Sequence, residues 1–256
     1  MAPSSLPPFK TAFLAACEES GALKFGSFVL KSKRLSPYFF NSGLFNSFSL
    51  TNTMSQAFAQ TLHAEITGQS TNAGASDTAT AAKEPFDFDI LFGPAYKGIV
   101  LAATVGVALA NLDPARYANK NWSFNRKEAK DHGEGGTIVG APLKGRRVVI
   151  IDDIITAGTA IREAIKLIQA QGGELVGIVL AVDRQEKVVS AAEAAGEEED
   201  GGAARPSAIG VLRKELGVPI TAIITLDDVV EYLKETGTPA QLAELEAYRK
   251  KYKATN

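Results

Sequence analysis

The run Val148-Val-Ile-Ile151, followed at once by Asp152 and Asp153, constrains this chain more than any other feature. Four consecutive β-branched residues predict a short parallel strand buried on both faces. In open α/β sheets ligands bind beyond the carboxyl ends of the strands, and the two aspartates stand at such an end. A small-residue turn follows, Ile154-Ile-Thr-Ala-Gly-Thr159, and then apolar residues at 161, 164, 165 and 168 with helical spacing. A helix N-terminus carries unpaired N–H groups and partial positive charge, which suits a phosphate. Gly158 allows close backbone approach, and Thr156 and Thr159 add hydroxyl donors. Two carboxylates beside such a turn can accept hydrogen bonds from sugar hydroxyls, so the combination suits a sugar phosphate. The plainer alternative is a capped strand–turn–helix with aspartates facing solvent, and the two spaced threonines count against it.

The rest of the chain supports an α/β reading. Phe9 to Ser20 reads as a helix, Lys24 to Leu30 and Arg34 to Phe40 as short strands around a polar turn, and Leu44 to Ile66 as mostly helical. Phe88 to Phe92, Val148 to Ile151, Leu175 to Val182 and Ile220 to Thr225 read as buried strands, with a helix over Gly98 to Asn111. This alternation predicts a central, mostly parallel sheet flanked by helices. The whole of 1–256 is read as one domain. Segments 1–45 and 226–256 fall outside the alternation and are candidates for a hood over the strand ends. Residues 68–84 and 187–205, rich in small or acidic residues, are read as surface insertions.

Composition narrows the function classes. A net charge of −2 gives no general attraction to nucleic acid. The lone Cys17 rules out an internal disulfide framework and is read as a packed core residue. Pro7, Pro8, Lys10 and Glu18 interrupt the apolar start, so no secretory signal is expected. The apolar stretch from Gly98 to Leu112 is short for a membrane span. A cytoplasmic enzyme without nucleic-acid or membrane partners is the expectation.

A second constellation lies in Phe124 to Gly136. Arg126, Lys127, Lys130 and His132 stand beside Gly133, Gly135 and Gly136. Taken alone, this is a charged surface loop. Beside the aspartate motif it reads as a basic lid suited to a pyrophosphate.

With five motifs in order, the chain resembles the orotate phosphoribosyltransferases, a branch of the type I phosphoribosyltransferase family, and their fungal form most. The motifs are Leu30 to Asn41, Phe92-Gly-Pro-Ala-Tyr-Lys-Gly98, the 126–136 loop, Asp152 to Ala160, and Asp183-Arg-Gln-Glu186. One departure is visible, because the family often has glycine where this chain has Lys33.

The resemblance implies a type I phosphoribosyltransferase fold and the transfer of a phosphoribosyl group from phosphoribosyl pyrophosphate (PRPP) to N1 of orotate. The products are orotidine 5′-monophosphate and pyrophosphate. It implies that Asp152 and Asp153 hold the ribose hydroxyls, directly or through water around Mg²⁺, which is held mainly through PRPP and not by the protein. Ile154, Ile155, Thr156, Ala157, Gly158, Thr159 and Ala160 wrap the phosphate. Tyr96 and Lys97 face the pyrophosphate, as do Arg126, Lys127, Lys130 and His132, with Lys130 and His132 as candidates to neutralise the departing charge. Lys31 contacts PRPP or the base. Phe39 and Phe40 line the orotate pocket, one of them with core packing as the competing role, while Arg184 and Thr156 address the orotate carboxylate. A homodimer with shared active sites is also implied. Two other readings are an enzyme for a purine or uracil and a PRPP-sensing regulator. The first lacks a reason for the paired phenylalanines and Arg184, and the second for the complete lid and the absence of a basic nucleic-acid patch. No residues remain for a second barrel, so a fused decarboxylase is not expected.

Overall fold

The computed structural model describes residues 6–30, 32–69, 86–130, 136–155, 158–195 and 203–255, without the side chains of 129 and 130. In chain order the elements are α1 (Pro8–Glu19), β1 (Leu23–Val29), β2 (Leu35–Phe40), a 3-10 turn (Ser42–Leu44), α2 (Phe48–Thr67), β3 (Ile90–Gly93), α3 (Lys97–Leu112), α4 (Pro114–Tyr117), β4 (Asn121–Lys130), β5 (Gly136–Gly140), β6 (Arg147–Ile154), α5 (Thr159–Ala170), β7 (Glu174–Asp183), α6 (Ala191–Ala195), α7 (Ala208–Leu216), β8 (Ile220–Thr225), α8 (Leu226–Thr236) and α9 (Pro239–Tyr252).

Val148 to Ile151 form the middle of β6, an inner strand of a six-stranded sheet with order β5-β4-β3-β6-β7-β8. All pairings are parallel except β4 with β5. All four of these side chains are fully buried. Each contributes roughly 1.5–3 kcal/mol by leaving water. Strand geometry sends alternate side chains to opposite faces. Val149 and Ile151 therefore join one core with Phe58, Leu62, Leu101 and Val105. Val148 and Ile150 join a second core with Ile161, Ile165, Ile168 and Leu212. The apolar run thus reflects two cores, one under α2 and α3 and the other under α5 and α7.

The sheet is pinned at the amino ends of its central strands. Arg147, which opens β6, donates through Nη2 to Asp89 at 2.8 Å and to Asp87 at 3.1 Å, and through its backbone N–H to Asp89 at 2.9 Å. Lys120, just before β4, donates to Asp87 at 2.8 Å. The Arg147 hydrogen bonds hold the Asp89 carboxyl down at about 2.

Two differences from the sequence reading are informative. The segment read as a basic loop is for the most part a ribbon: β4 carries Arg126 and Lys127 and pairs antiparallel with β5. Its strand signal is the alternation of Trp122 and Phe124, whose rings stack at 5.8 Å, about the buried Ser123. The charges that follow conceal it. Helix α2 begins at Phe48, not Leu44, because the Ser47 hydroxyl accepts from Leu50 N–H at 3.2 Å and sets the boundary there.

The N-terminal hairpin β1–β2 forms a separate two-stranded sheet. Tyr38 of β2 meets Tyr248 of α9 edge-on, with centroids 6.2 Å apart. Lys10 of α1 is fully buried and donates to Asp228 of α8 at 2.9 Å. Both ends of the chain therefore pack together. The turn between β1 and β2 holds Lys33 at φ 64°, in the left-handed region. That is the conformation glycine adopts without steric cost.

Within the stretch read as a surface insertion, 187–205, Lys187 and Glu193 are buried. Glu193 accepts from Arg34 Nε at 3.0 Å and Nη2 at 3.1 Å, from Arg205 Nη2 at 3.0 Å and from Ser190 N–H at 2.8 Å. Arg34 in turn lies over the Tyr252 ring at 4.5 Å. The arginines supply the charge that makes burial of a carboxylate tolerable. Of the other predicted insertion, 68–84, only Gly68 and Gln69 are among the described residues.

Candidate active site

The carboxyl ends of β3, β6 and β7 bring together groups far apart in sequence. Asp152 and Asp153 lie just before Ile154, the last residue of β6. Lys97 opens α3, directly beyond β3. Its ammonium donates to Asp153 Oδ2 at 2.8 Å and to the Ser42 hydroxyl at 2.8 Å, and Ser42 also donates to Asp153 Oδ2. The Asp153 side chain is 18% exposed and that of Lys97 58%.

Backbone sterics place Lys97. A Cβ on Gly93 would lie 1.8 Å from the Gly98 carbonyl oxygen, and one on Gly98 would lie 2.7 Å from Gly93 C. The segment Gly93 to Gly98 therefore folds back upon itself only because both residues lack a side chain. Asn125 of β4 accepts from Ala95 N–H at 3.0 Å and ties this turn to the basic ribbon. Tyr96 is largely exposed beside it.

The two aspartates differ electrostatically. Burial and the neighbouring Asp153 charge push the Asp152 carboxyl up. Burial acts the same way on Asp153, but hydrogen bonds from Lys97 and Ser42 outweigh it and hold that carboxyl below the usual range. The pair thus offers one firmly ionised carboxylate and one with a raised proton affinity, next to a cation.

The phosphate-turn expectation is only partly covered, since Thr156 and Ala157 lie outside the described residues. Ile154 packs against the first core and Ile155 belongs to the second. Their side chains are committed to packing, and only their backbone is left for a ligand. Gly158, at φ 77°, precedes α5 in the left-handed region; a Cβ there would meet Arg162 at 2.8 Å. Thr159 and Ala160 are exposed in the first turn of α5.

Arg184 follows β7, in a turn closed by Gln185 N–H donating to Asp183 Oδ1 at 2.8 Å. Gln185 sits at φ 51°. The Arg184 guanidinium donates to the Tyr38 hydroxyl at 3.1 Å and to Glu186 Oε1 at 2.6 and 2.9 Å. Burial opposes its charge, but Tyr38 and Glu186 outweigh that and raise its pKa.

The two phenylalanines separate. Phe40 is in the core, 5.9 Å from Phe45, the competing role expected for one of the pair. Residues on one strand alternate faces, so Phe39 turns outward; it is 39% exposed and stacks on Phe28 at 5.5 Å. Arg126 is half-buried and Lys127 exposed on β4. Lys31 and His132 lie outside the described residues, and of Lys130 only the backbone, at the end of β4, is described.

Sequence reasoning missed Ser42, Tyr38, Glu186 and Asn125 as members of the site. Tyr38 and Glu186 stand inside quoted motifs, and Ser42 follows one directly. Their partners lie 30 to 148 positions away for Asn125, Ser42 and Tyr38, which local pattern does not reveal.

Residues 72–193 match the phosphoribosyl transferase domain family. The chain is 50% identical over 254 residues to an orotate phosphoribosyltransferase of Neurospora crassa, covering 99% of this chain and 100% of that one. It is also 50% identical to the enzyme of that name from Metarhizium anisopliae, covering 98% of each. Among solved structures, an orotate phosphoribosyltransferase of Francisella tularensis is similar with a TM-score of 0.72 at 32% identity, over 94% of this chain and 99% of that one.

Proposed function

The chain belongs to the orotate phosphoribosyltransferases, and on that premise we propose that it transfers the phosphoribosyl group of PRPP to N1 of orotate. The products are orotidine 5′-monophosphate and pyrophosphate, a step of pyrimidine nucleotide synthesis. The observation that carries this reading is the convergence of Lys97, Asp152 and Asp153 at the carboxyl ends of β3 and β6. An ammonium next to two carboxylates matches a ligand with a pyrophosphate on one side of a ribose and hydroxyls on the other.

Breaking the C1–oxygen bond of PRPP builds oxocarbenium character on the ribose. Asp152 and Asp153 hold the ribose hydroxyls and set negative charge near that carbon. Lys97 turns to the pyrophosphate. Arg126, Lys127, Lys130 and His132 add positive charge for the leaving group, and Lys31 joins them from the hairpin side. The backbone from Ile154 to Ala160, with the Thr156 and Thr159 hydroxyls, receives the 5′-phosphate at the start of α5. Arg184 and Thr156 face the orotate carboxylate, and Phe39 offers a ring for stacking. No protein nucleophile is required; positioning and charge stabilisation supply the catalysis.

Asp152 and Asp153 offer hard oxygen donors of the kind Mg²⁺ accepts, and this ion favours substrate phosphates and retained waters over an all-protein cage. Bound through PRPP oxygens, it would neutralise the pyrophosphate as it departs. We place the two aspartates within reach of its water shell.

We further propose a homodimer with shared sites. Val100, Val107 and Leu112 on α3 and Trp122 on β4 are each 41–63% exposed, an apolar surface that a second copy would cover. We also propose that the enzyme acts in the cytoplasm. No described helix is long and apolar enough to cross a membrane.

The test is orotate consumption, followed by ultraviolet absorbance, with PRPP and Mg²⁺. Wild type turns over only with both present, and Lys130→Ala loses most of the rate. Absence of orotate turnover with PRPP still bound would transfer the assignment to another nucleobase or to a sensing role.

A further inference from the structure

Ser42 occupies a junction that the proposed reaction does not itself explain. It begins the 3-10 turn that directly follows β2, two residues beyond Phe40. Its hydroxyl bonds both Asp153 and Lys97, the two groups that must exchange each other for substrate. While Lys97 sits on Asp153 Oδ2, that oxygen is occupied and the ammonium points at the ribose side. PRPP binding must break this pair, because the ribose hydroxyls need the carboxylate and the pyrophosphate needs the ammonium. Ser42 loses both partners in the same event.

Resting on the activity proposed above, we propose that Ser42 is a positioning residue that couples the two substrates. In the substrate-free enzyme it ties the end of β2, and with it Phe39, to the PRPP carboxylates. Displacement of Lys97 and Asp153 by PRPP releases that tie and lets the hairpin settle on orotate. A second tie, Tyr38 to Arg184, joins the same strand to the end of β7 and shares no partner with Lys97 or Asp153. The hairpin is thus held at one fixed and one releasable point. The same physics makes the coupling reciprocal: orotate must strengthen PRPP binding by the factor by which PRPP strengthens orotate binding.

The experiment titrates orotate into the enzyme calorimetrically, with and without a carbocyclic PRPP analogue that cannot form the oxocarbenium ion, in wild type, Ser42→Ala and Ser42→Thr. In wild type the analogue tightens orotate by at least about fivefold. In Ser42→Ala, orotate alone binds close to the tightened value and the analogue adds less than about twofold. Ser42→Thr retains the hydroxyl and the wild-type coupling. A wild type without coupling overturns the proposal, as does a Ser42→Ala enzyme that keeps it. A Ser42→Ala enzyme that binds orotate weakly in both conditions has lost structure only, and this also overturns it. Turnover of orotate by wild type in the same preparation separates these outcomes from failure of the assigned activity.

Discussion

Replacing Glu193 with glutamine keeps the side chain's size and removes its charge. In the native chain this carboxylate is 5% exposed, and the side chain of Arg34, its main partner, is 3% exposed. The Arg34 hydrogen bonds are the largest influence on Glu193 and draw its carboxyl from the ordinary 4.5 down to about 2. At ~1.4 kcal/mol per pH unit that difference corresponds to about 3 kcal/mol. Breaking a buried pair costs about 3–5 kcal/mol, and Glu186, 3.5 Å from Arg34, keeps the expected loss at the lower end. The sign follows from the depressed pKa: the contribution is complete above pH 4.5 and is lost as pH falls through about 2. Urea unfolding of Glu193→Gln at neutral pH should show a midpoint lower by about 1 M, taking a slope of about 3 kcal/mol per M. The gap to wild type should then narrow steadily in acid. A neutral-pH gap below about 1 kcal/mol, or one that acid leaves unchanged, would refute the reasoning, since a buried ion pair predicts both.

Lys33→Gly should stabilise the protein, because a non-glycine residue at φ 64° carries a cost of roughly 1 kcal/mol. Glycine's greater unfolded-state freedom cancels about half of it. Scanning calorimetry should show Tm about 1–2 °C higher, and a lower Tm than in wild type would contradict the strain account. Asp152, pushed up by burial and by Asp153, should impose an acid limb on kcat/KM for PRPP at a pH above that of an ordinary carboxylate. Initial rates from about pH 5 to about pH 9 should show that limb in wild type and not in Asp152→Asn, which should retain less than about a tenth of the activity; a limb that survives the substitution belongs to another group.

The elements most legible in the sequence are those whose signal is local. Val148 to Ile151, Leu175 to Val182 and Ile220 to Thr225 announce themselves because a strand covered on both faces must be apolar throughout. Strand β4 escaped because one end meets solvent and charge, so its period-two pattern is confined to Trp122, Ser123 and Phe124. Glu193 sits in a segment whose acidic neighbours suggest solvent, yet its burial is decided by Arg34, 159 positions earlier. Ser42 is concealed in the same way, 111 positions from Asp153. The aspartates drew notice through the whole string from Val148 to Thr159, and Lys97 only through the family resemblance. Their mutual contact was not legible, since it depends on two strands being neighbours. The motif names the two hairpin phenylalanines together and allows core packing for one of them; strand alternation decides that this one is Phe40.

The cluster of Asp87, Asp89, Lys120 and Arg147 fastens the strands at the end of the sheet opposite Lys97, Asp152 and Asp153. Robustness and chemistry therefore reside at opposite poles of the same strands. Substitutions that strengthen the amino-terminal pole can raise heat tolerance while the reactive pole keeps the freedom to exchange Lys97 and Asp153 for substrate. Selection, natural or in the laboratory, has two handles on this sheet that it can turn separately.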